Sequence, residues 1–139
     1  MRAQSGQTLI MFAITMTFMF LALVALVGDA DTLMVRYNQV NSEALLGAQA
    51  GATAIDVQAF YNGSHVLDKQ GAVDRCQSIP LSGGTPATHK ITCPLPLGNT
   101  VTATVTWDVS LPIPLFGQTV TVRSTRTGQA VFGGATGGA

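Results

Sequence analysis

Nothing charged stands between Arg2 and Asp29, and only 10% of the 139 residues are charged at all. Formal net charge is zero. That balance excludes the basic footprint of a nucleic-acid binder and the acidic run of a solvating tail. No proline precedes Pro80, so no ring clash forces a helix break in the first half. No P-loop, dinucleotide fingerprint or nucleophile elbow is present. His65 and His89 are isolated, with no second His or Cys at metal-ligand spacing. Carboxylates occur singly, so the sequence points away from an enzyme and implies no cofactor and no resident metal. Cysteine is confined to Cys76 and Cys93.

What fills the uncharged gap decides the class. Residues 9–27, from Leu9 to Val27, are apolar except for Thr15 and Thr17. A bilayer span needs roughly 20 such residues, because a helix rises about 1.5 Å per residue across a core of about 30 Å. The two hydroxyls can bond back to the helix's own carbonyls. Arg2 and the α-amino group lie on one side of this segment, Asp29 and Asp31 on the other. The positive-inside rule then puts the N-terminus in the cytoplasm and the rest outside. About a hundred residues remain for one small body. An even pair of cysteines in an exported body suggests a Cys76–Cys93 disulfide, worth about 3 kcal/mol by loop-closure entropy. Two free buried thiols are the alternative.

Beyond Val27 a helical pattern resumes. Leu33, Val40, Ala44, Gly47, Ala48, Gly51, Ala52 and Ile55 recur three or four apart, with Arg36, Asn38, Asn41, Glu43, Gln49 and Asp56 largely elsewhere. The pattern predicts one long helix, or two nearly collinear ones, over residues 7–60, stopped by Tyr61-Asn62-Gly63-Ser64. Gly28 to Thr32 could mark a kink or a fresh cap. Asp29 and Asp31 there are either N-caps or a weak hard-cation pair, and capping is the simpler reading. Gly47 and Gly51 form a small-residue groove that fits either a neighbouring helix or this chain's own sheet. Asn62-Gly63-Ser64 is also a glycosylation triplet.

Residues 61–132 read as a β-rich extracytoplasmic body. A short helix or strand is expected near 72–79, a Gly83-Gly84-Thr85-Pro86 turn, and a strand over 90–93. Thr100 to Ser110 alternates strictly, with Val101, Ala103, Val105, Trp107 and Val109 on one face. Period two with β-branched residues marks a half-buried antiparallel strand. Gln118 to Thr127, running on toward Phe132, is its expected partner. The link carries Leu111, Ile113, Leu115 and Phe116 in a proline-stiffened loop, either a contact surface or a flap over the sheet edge. Residues 133–139 are a Gly-rich flexible tail. The fold class is therefore α+β: a long N-terminal helix, its apolar half protruding and its second half packed on a small antiparallel sheet.

The start Ser5-Gly6-Gln7-Thr8-Leu9-Ile10-Met11-Phe12-Ala13 resembles that of type IV pilins and, more closely, of TadE/TadG-like proteins of the tight-adherence (Tad/Flp) pilus system. Asp29 or Asp31, Arg36, Gln39, Glu43 and the Ala/Gly-rich Ala44–Ala54 are similar to the continuation in that family, as are the two Thr/Val strands and the Pro-Leu-Phe-Gly link. The resemblance covers the first sixty residues and, more loosely, the last forty. It implies a pilin-like fold and a leader-like segment, residues 1–6, cut by a prepilin peptidase between Gly6 and Gln7. Pilin-like families place a Glu five residues into the mature chain, where it pairs with a neighbour's N-terminal amine. Here Met11 occupies that place, a departure that leans toward TadG-like members.

The expected function is a structural subunit, major or minor, of a helical surface filament. The inner membrane and the pilus assembly machinery would be its partners before it reaches the cell exterior. Leu9, Phe12, Phe18, Phe20, Leu23 and Leu26 would form membrane helix and then filament core. A non-polymerising single-pass envelope protein with an exported binding domain is the alternative. A secreted protein cleaved after Ala30 is a third reading. The first two differ in whether the helix beyond Leu33 keeps an apolar stripe that its own sheet does not cover.

Overall fold

A computed structural model describes residues 4–111 and 118–131. Helix α1 runs unbroken over Gln4–Ala52, about 74 Å at 1.5 Å per residue. Its uncharged first half contains no proline, and the hydroxyls of Thr15 and Thr17 are satisfied internally. Thr15 Oγ1 donates to the Met11 carbonyl at 2.9 Å and Thr17 Oγ1 to Ala13 at 2.8 Å. Thr32 Oγ1 does the same to Gly28 at 2.9 Å, so the expected break at residues 28–32 is absent.

The expected end at residue 60 is corrected to Ala52. Thr53 and Ala54 donate to Ala50 and Gly51, tightening the last turn. The chain then leaves the helix to pair with a later segment: Ile55 bridges Leu67, Asp56 N–H donates to Val66, and Asp68 N–H to Ala54. Ala54 and Leu67 are buried by that crossing. Arg75 Nη1 reaches the Thr53 carbonyl at 3.1 Å. A second short helix, α2 (Val57–Tyr61), starts at Asp56, whose carboxylate accepts from Ala59 N–H. It stops at Asn62 and Gly63, the latter at φ +80°. Helix α3 (Lys69–Gln77) starts at Asp68, which accepts from the N–H groups of Gln70 and Gly71.

Three strands follow: β1 (His89–Thr92), β2 (Thr100–Ser110) and β3 (Thr119–Gln129), antiparallel in the order β1-β2-β3. Strand β2 has the bounds its alternation predicted. Val101, Ala103, Val105, Trp107 and Val109 are buried, and threonines line the other face. There Thr104 and Thr125 hydroxyls meet at 3.0 Å, and Thr121 donates to Asp108 at 2.6 Å.

The core lies between this sheet and the second half of α1. Val40, Ala44 and Ala48 of α1 are fully buried, as are Val101 and Val105 of β2, each valine contributing about 1.5–3 kcal/mol by its burial. Gly128 of β3 lies against the Ala48 carbonyl, an approach that any Cβ would block. Helix α3 closes the core from the side through Ala72 and Cys76. Cys76 forms a disulfide with Cys93, Cα atoms 6.3 Å apart, which ties α3 to the segment after β1. The molecule is thus α+β, with a long apolar helix projecting from a three-stranded antiparallel body.

Candidate functional site

The first half of α1 is long and apolar enough to cross a membrane, and the body covers none of it. Leu9, Phe12, Phe18 and Phe20 are all more than three-fifths exposed, and Leu23 and Leu26 about half. Met11 projects from the same helix, also exposed. Gly6 and Gln7 lie within α1, which is helical from the first described residue, Gln4. A helix surface this apolar is stable only in lipid or against other apolar surface.

Past Gly28 the two sides of α1 diverge. The inner side carries Leu33, Arg36, Val40, Glu43, Ala44, Gly47, Ala48 and Gly51 onto the sheet and α3. A Cβ on Gly47 would lie 2.7 Å from Ile91 Cδ1, and one on Gly51 2.7 Å from Val101 Cγ1 and 2.9 Å from the Ala72 carbonyl. The small-residue groove is therefore filled by this chain's own β1, β2 and α3, not left for a neighbouring helix. The outer side keeps Met34 at 68% exposure, Val35, Leu45 and Leu46. Met16, Leu23, Val27, Met34 and Leu45, all exposed, are seven, four, seven and eleven residues apart. Each step is close to a whole number of turns, so they fall on one line along α1, which Asn38 and Asn41 occupy between Met34 and Leu45, Asn41 Oδ1 accepting from Ser124 and Arg126 of β3.

The junction carries two carboxylates with different fates. Asp29 is completely buried, whereas Asp31 is exposed. Residues two apart on a helix point to nearly opposite sides, so the pair neither caps a helix start nor converges on a cation. Among the described residues no group of three His, Cys, Asp or Glu side chains gathers to hold a metal. At the end of β2, Leu111 is buried and its N–H donates to the Gln118 carbonyl at 3.3 Å. It therefore extends the ladder instead of presenting a contact surface. Ile113, Leu115 and Phe116 lie outside the described residues. Asn62 is exposed in the turn after α2.

One polar cluster was invisible in the sequence. His89, read there as isolated, is buried with its Nε2 2.8 Å from Glu43 Oε2. That approach is a close polar contact and not an aligned hydrogen bond. His89 Nδ1 donates to the Gly83 carbonyl at 2.8 Å. Its ring stacks on Trp107, its direct partner across β1 and β2, with centroids 4.1 Å apart. Arg36 places its guanidinium carbon 4.6 Å from the Trp107 ring centre. The other Glu43 oxygen accepts from Ser82 N–H at 2.8 Å, and Gln39 Nε2 donates to the Ser82 carbonyl at 2.6 Å.

The turn at Gly83 and Gly84, both at positive φ, is thereby held to α1 and β1. A Cβ on Gly84 would strike His89. The signal available in the sequence was the spacing of Arg36 and Glu43 with Val40 and Gly47, which puts them on the buried side of α1. The cluster's contacts thus tie the Gly83-Gly84 turn, β1 and β2 to α1. No family model, curated protein or solved structure matches this chain.

Proposed function

We propose that this chain is a pilin-like structural subunit of a surface filament of the type IV/Tad kind. The apolar half of α1 first holds it in the inner membrane, N-terminus in the cytoplasm and body outside. The assembly machinery then moves it into a helical homopolymer, where equivalent helices replace lipid. Little hydrophobic energy changes in that step, because lipid tails and apolar side chains are equally dry. The observation that carries the reading is the outer line of α1. A single-pass anchor needs apolar surface only across the bilayer, yet Met34 and Leu45 carry exposed apolar side chains along that line beyond it, on either side of Asn38 and Asn41. A filament core needs that continuation.

Shearing native cells and imaging the released material tests the reading, with intact-mass analysis of the same sample. Filaments containing this chain are expected, and the mass reports whether the Gly6–Gln7 bond is cut. Full-length chain found only in the membrane fraction, with no filament, would instead favour a non-polymerising envelope protein.

A further inference from the structure

Of the four asparagines in the chain, only Asn62 opens an Asn-x-Ser/Thr triplet, with Gly63 between it and Ser64. Asn41 and Asn99 use their side chains to hold the body together. Asn41 Oδ1 accepts from Ser124 and Arg126, and Asn99 Nδ2 donates to the His65 carbonyl at 3.2 Å. The Asn62 amide makes no hydrogen bond among the described residues, and only its backbone N–H is engaged, at the end of α2. The Ser64 hydroxyl is likewise without a partner among them. Residues 60–66 are all exposed. Gly63, at φ +80°, closes the turn by backbone bonds. Its N–H donates to the Phe60 carbonyl at 3.0 Å, and Ser64 N–H donates to Ala59 at 2.9 Å. The turn is thus fixed without using either side chain, and nothing lies within 4 Å of a Cβ built on Gly63. Just before it, Phe60 and Tyr61 stand 48% and 84% exposed, their rings edge to face at 6.4 Å.

We propose that Asn62 is an N-glycosylation site and that the first sugars of its glycan lie over Phe60 and Tyr61. The donor is a lipid-linked glycosyl diphosphate. Asn62 Nδ2 bonds to the anomeric carbon, the anomeric C–O bond breaks, and the lipid diphosphate leaves with the electron pair while Nδ2 gives up one proton. Ser64 supplies the hydroxyl, two residues on, that completes the acceptor triplet. The C–H groups of a sugar ring are attracted to the negative face of an aromatic ring, so a glycan rooted at Asn62 covers side chains that the body leaves bare. Such acceptors belong to surface loops of exported chains, and a disulfide such as Cys76–Cys93 persists in the same oxidising compartments. The site therefore requires an exported body but not a filament.

Mass spectrometry of the tryptic peptide 37–69, from full-length chain purified from its own cells, tests the site. A mass gain of whole sugar units is expected, placed on Asn62 by fragmentation. Asn62→Gln and Ser64→Ala should each abolish it and Ser64→Thr should keep it, while the melting of the body, followed by Trp107 fluorescence, stays unchanged in every variant. Radical footprinting should label Tyr61 more strongly in Asn62→Gln than in the glycosylated chain, and equal labelling would overturn the cover over the aromatic rings. An unmodified peptide, a peptide changed only by conversion of the Asn62 amide to an acid, or a sugar on Ser64 that survives Asn62→Gln would overturn the site. Micrographs of the same cells keep the two proposals apart. Filaments of unmodified chain remove only the glycan, whereas modified chain without filaments removes only the filament reading.

Discussion

Adding a single methyl group at Gly51 has opposite consequences under the two readings of the glycine pair. If Gly47 and Gly51 were free for a neighbouring helix, Gly51→Ala would raise the stability of the isolated body by up to about 1 kcal/mol, the helix-propensity difference between the two residues. In the structure that methyl would sit 2.7 Å from Val101 Cγ1, 2.9 Å from the Ala72 carbonyl oxygen and 3.3 Å from Cys76 Cβ. Two of these belong to the disulfide-tied helix α3, one of them backbone, so the neighbours cannot simply swing aside. Overpacking of this kind costs about 1–3 kcal/mol, leaving a net loss of roughly 0–2 kcal/mol after the propensity gain.

Gly47→Ala should be milder, because its closest contact is Ile91 Cδ1, the end of a flexible side chain. Gly28→Ala is the internal control. Nothing lies within 4 Å of its added Cβ, so it should stabilise the helix by about 1 kcal/mol. Denaturant titration of the detergent-solubilised full-length chain, followed through its only tryptophan, Trp107, reads the body directly. A Gly51→Ala protein more stable than wild type would refute the packing of α1 on β2 and α3.

Four further outcomes follow from the same structure. Glu43→Ala strips Ser82 N–H and His89 Nε2 of a buried partner. It should cost roughly 1–3 kcal/mol and loosen the Gly83-Gly84 turn, as hydrogen exchange at Ser82 would report; unchanged stability and exchange would contradict the cluster's role. Replacing Cys76 and Cys93 together by Ser should lower stability by about 3 kcal/mol, and unchanged unfolding after reduction would count against the bond. Asp68→Ala removes the cap of α3 and should cost about 1 kcal/mol in the same titration. Phe18→Arg puts a charge at the centre of the apolar segment at a cost of about 2.5–3.5 kcal/mol. Carbonate extraction should then find much of the chain outside the membrane pellet, and full retention there would argue against a span.

How far the sequence could be read depended on the range of the interactions. Strand β2 was legible to the residue because its period-two pattern and β-branched side chains are local properties of eleven consecutive positions. The protruding half of α1 was legible for the same reason, as an uninterrupted uncharged run. The end of α1 was not. Residues 53–59 have helical composition, and only the pairing of Ile55 with Leu67 and of Asp56 with Val66 draws them out of the helix. The Glu43–His89–Trp107 cluster was hidden likewise, since α1, β1 and β2 assemble it from distant segments. Asp29 and Asp31 misled because capping residues look alike at a helix start and in a helix interior. No breaking residue interrupts α1 there, and burial separates the two.

The central claim is that the outer line of α1 belongs to a filament core. Filaments counted on cells carrying Met34→Glu with Leu45→Glu test it most directly, beside wild type and with body melting and membrane insertion measured on the same samples. Both side chains are exposed in the single chain, so the variant should fold and insert as wild type does and yet assemble no filaments. Filaments at wild-type number from that variant would contradict the account.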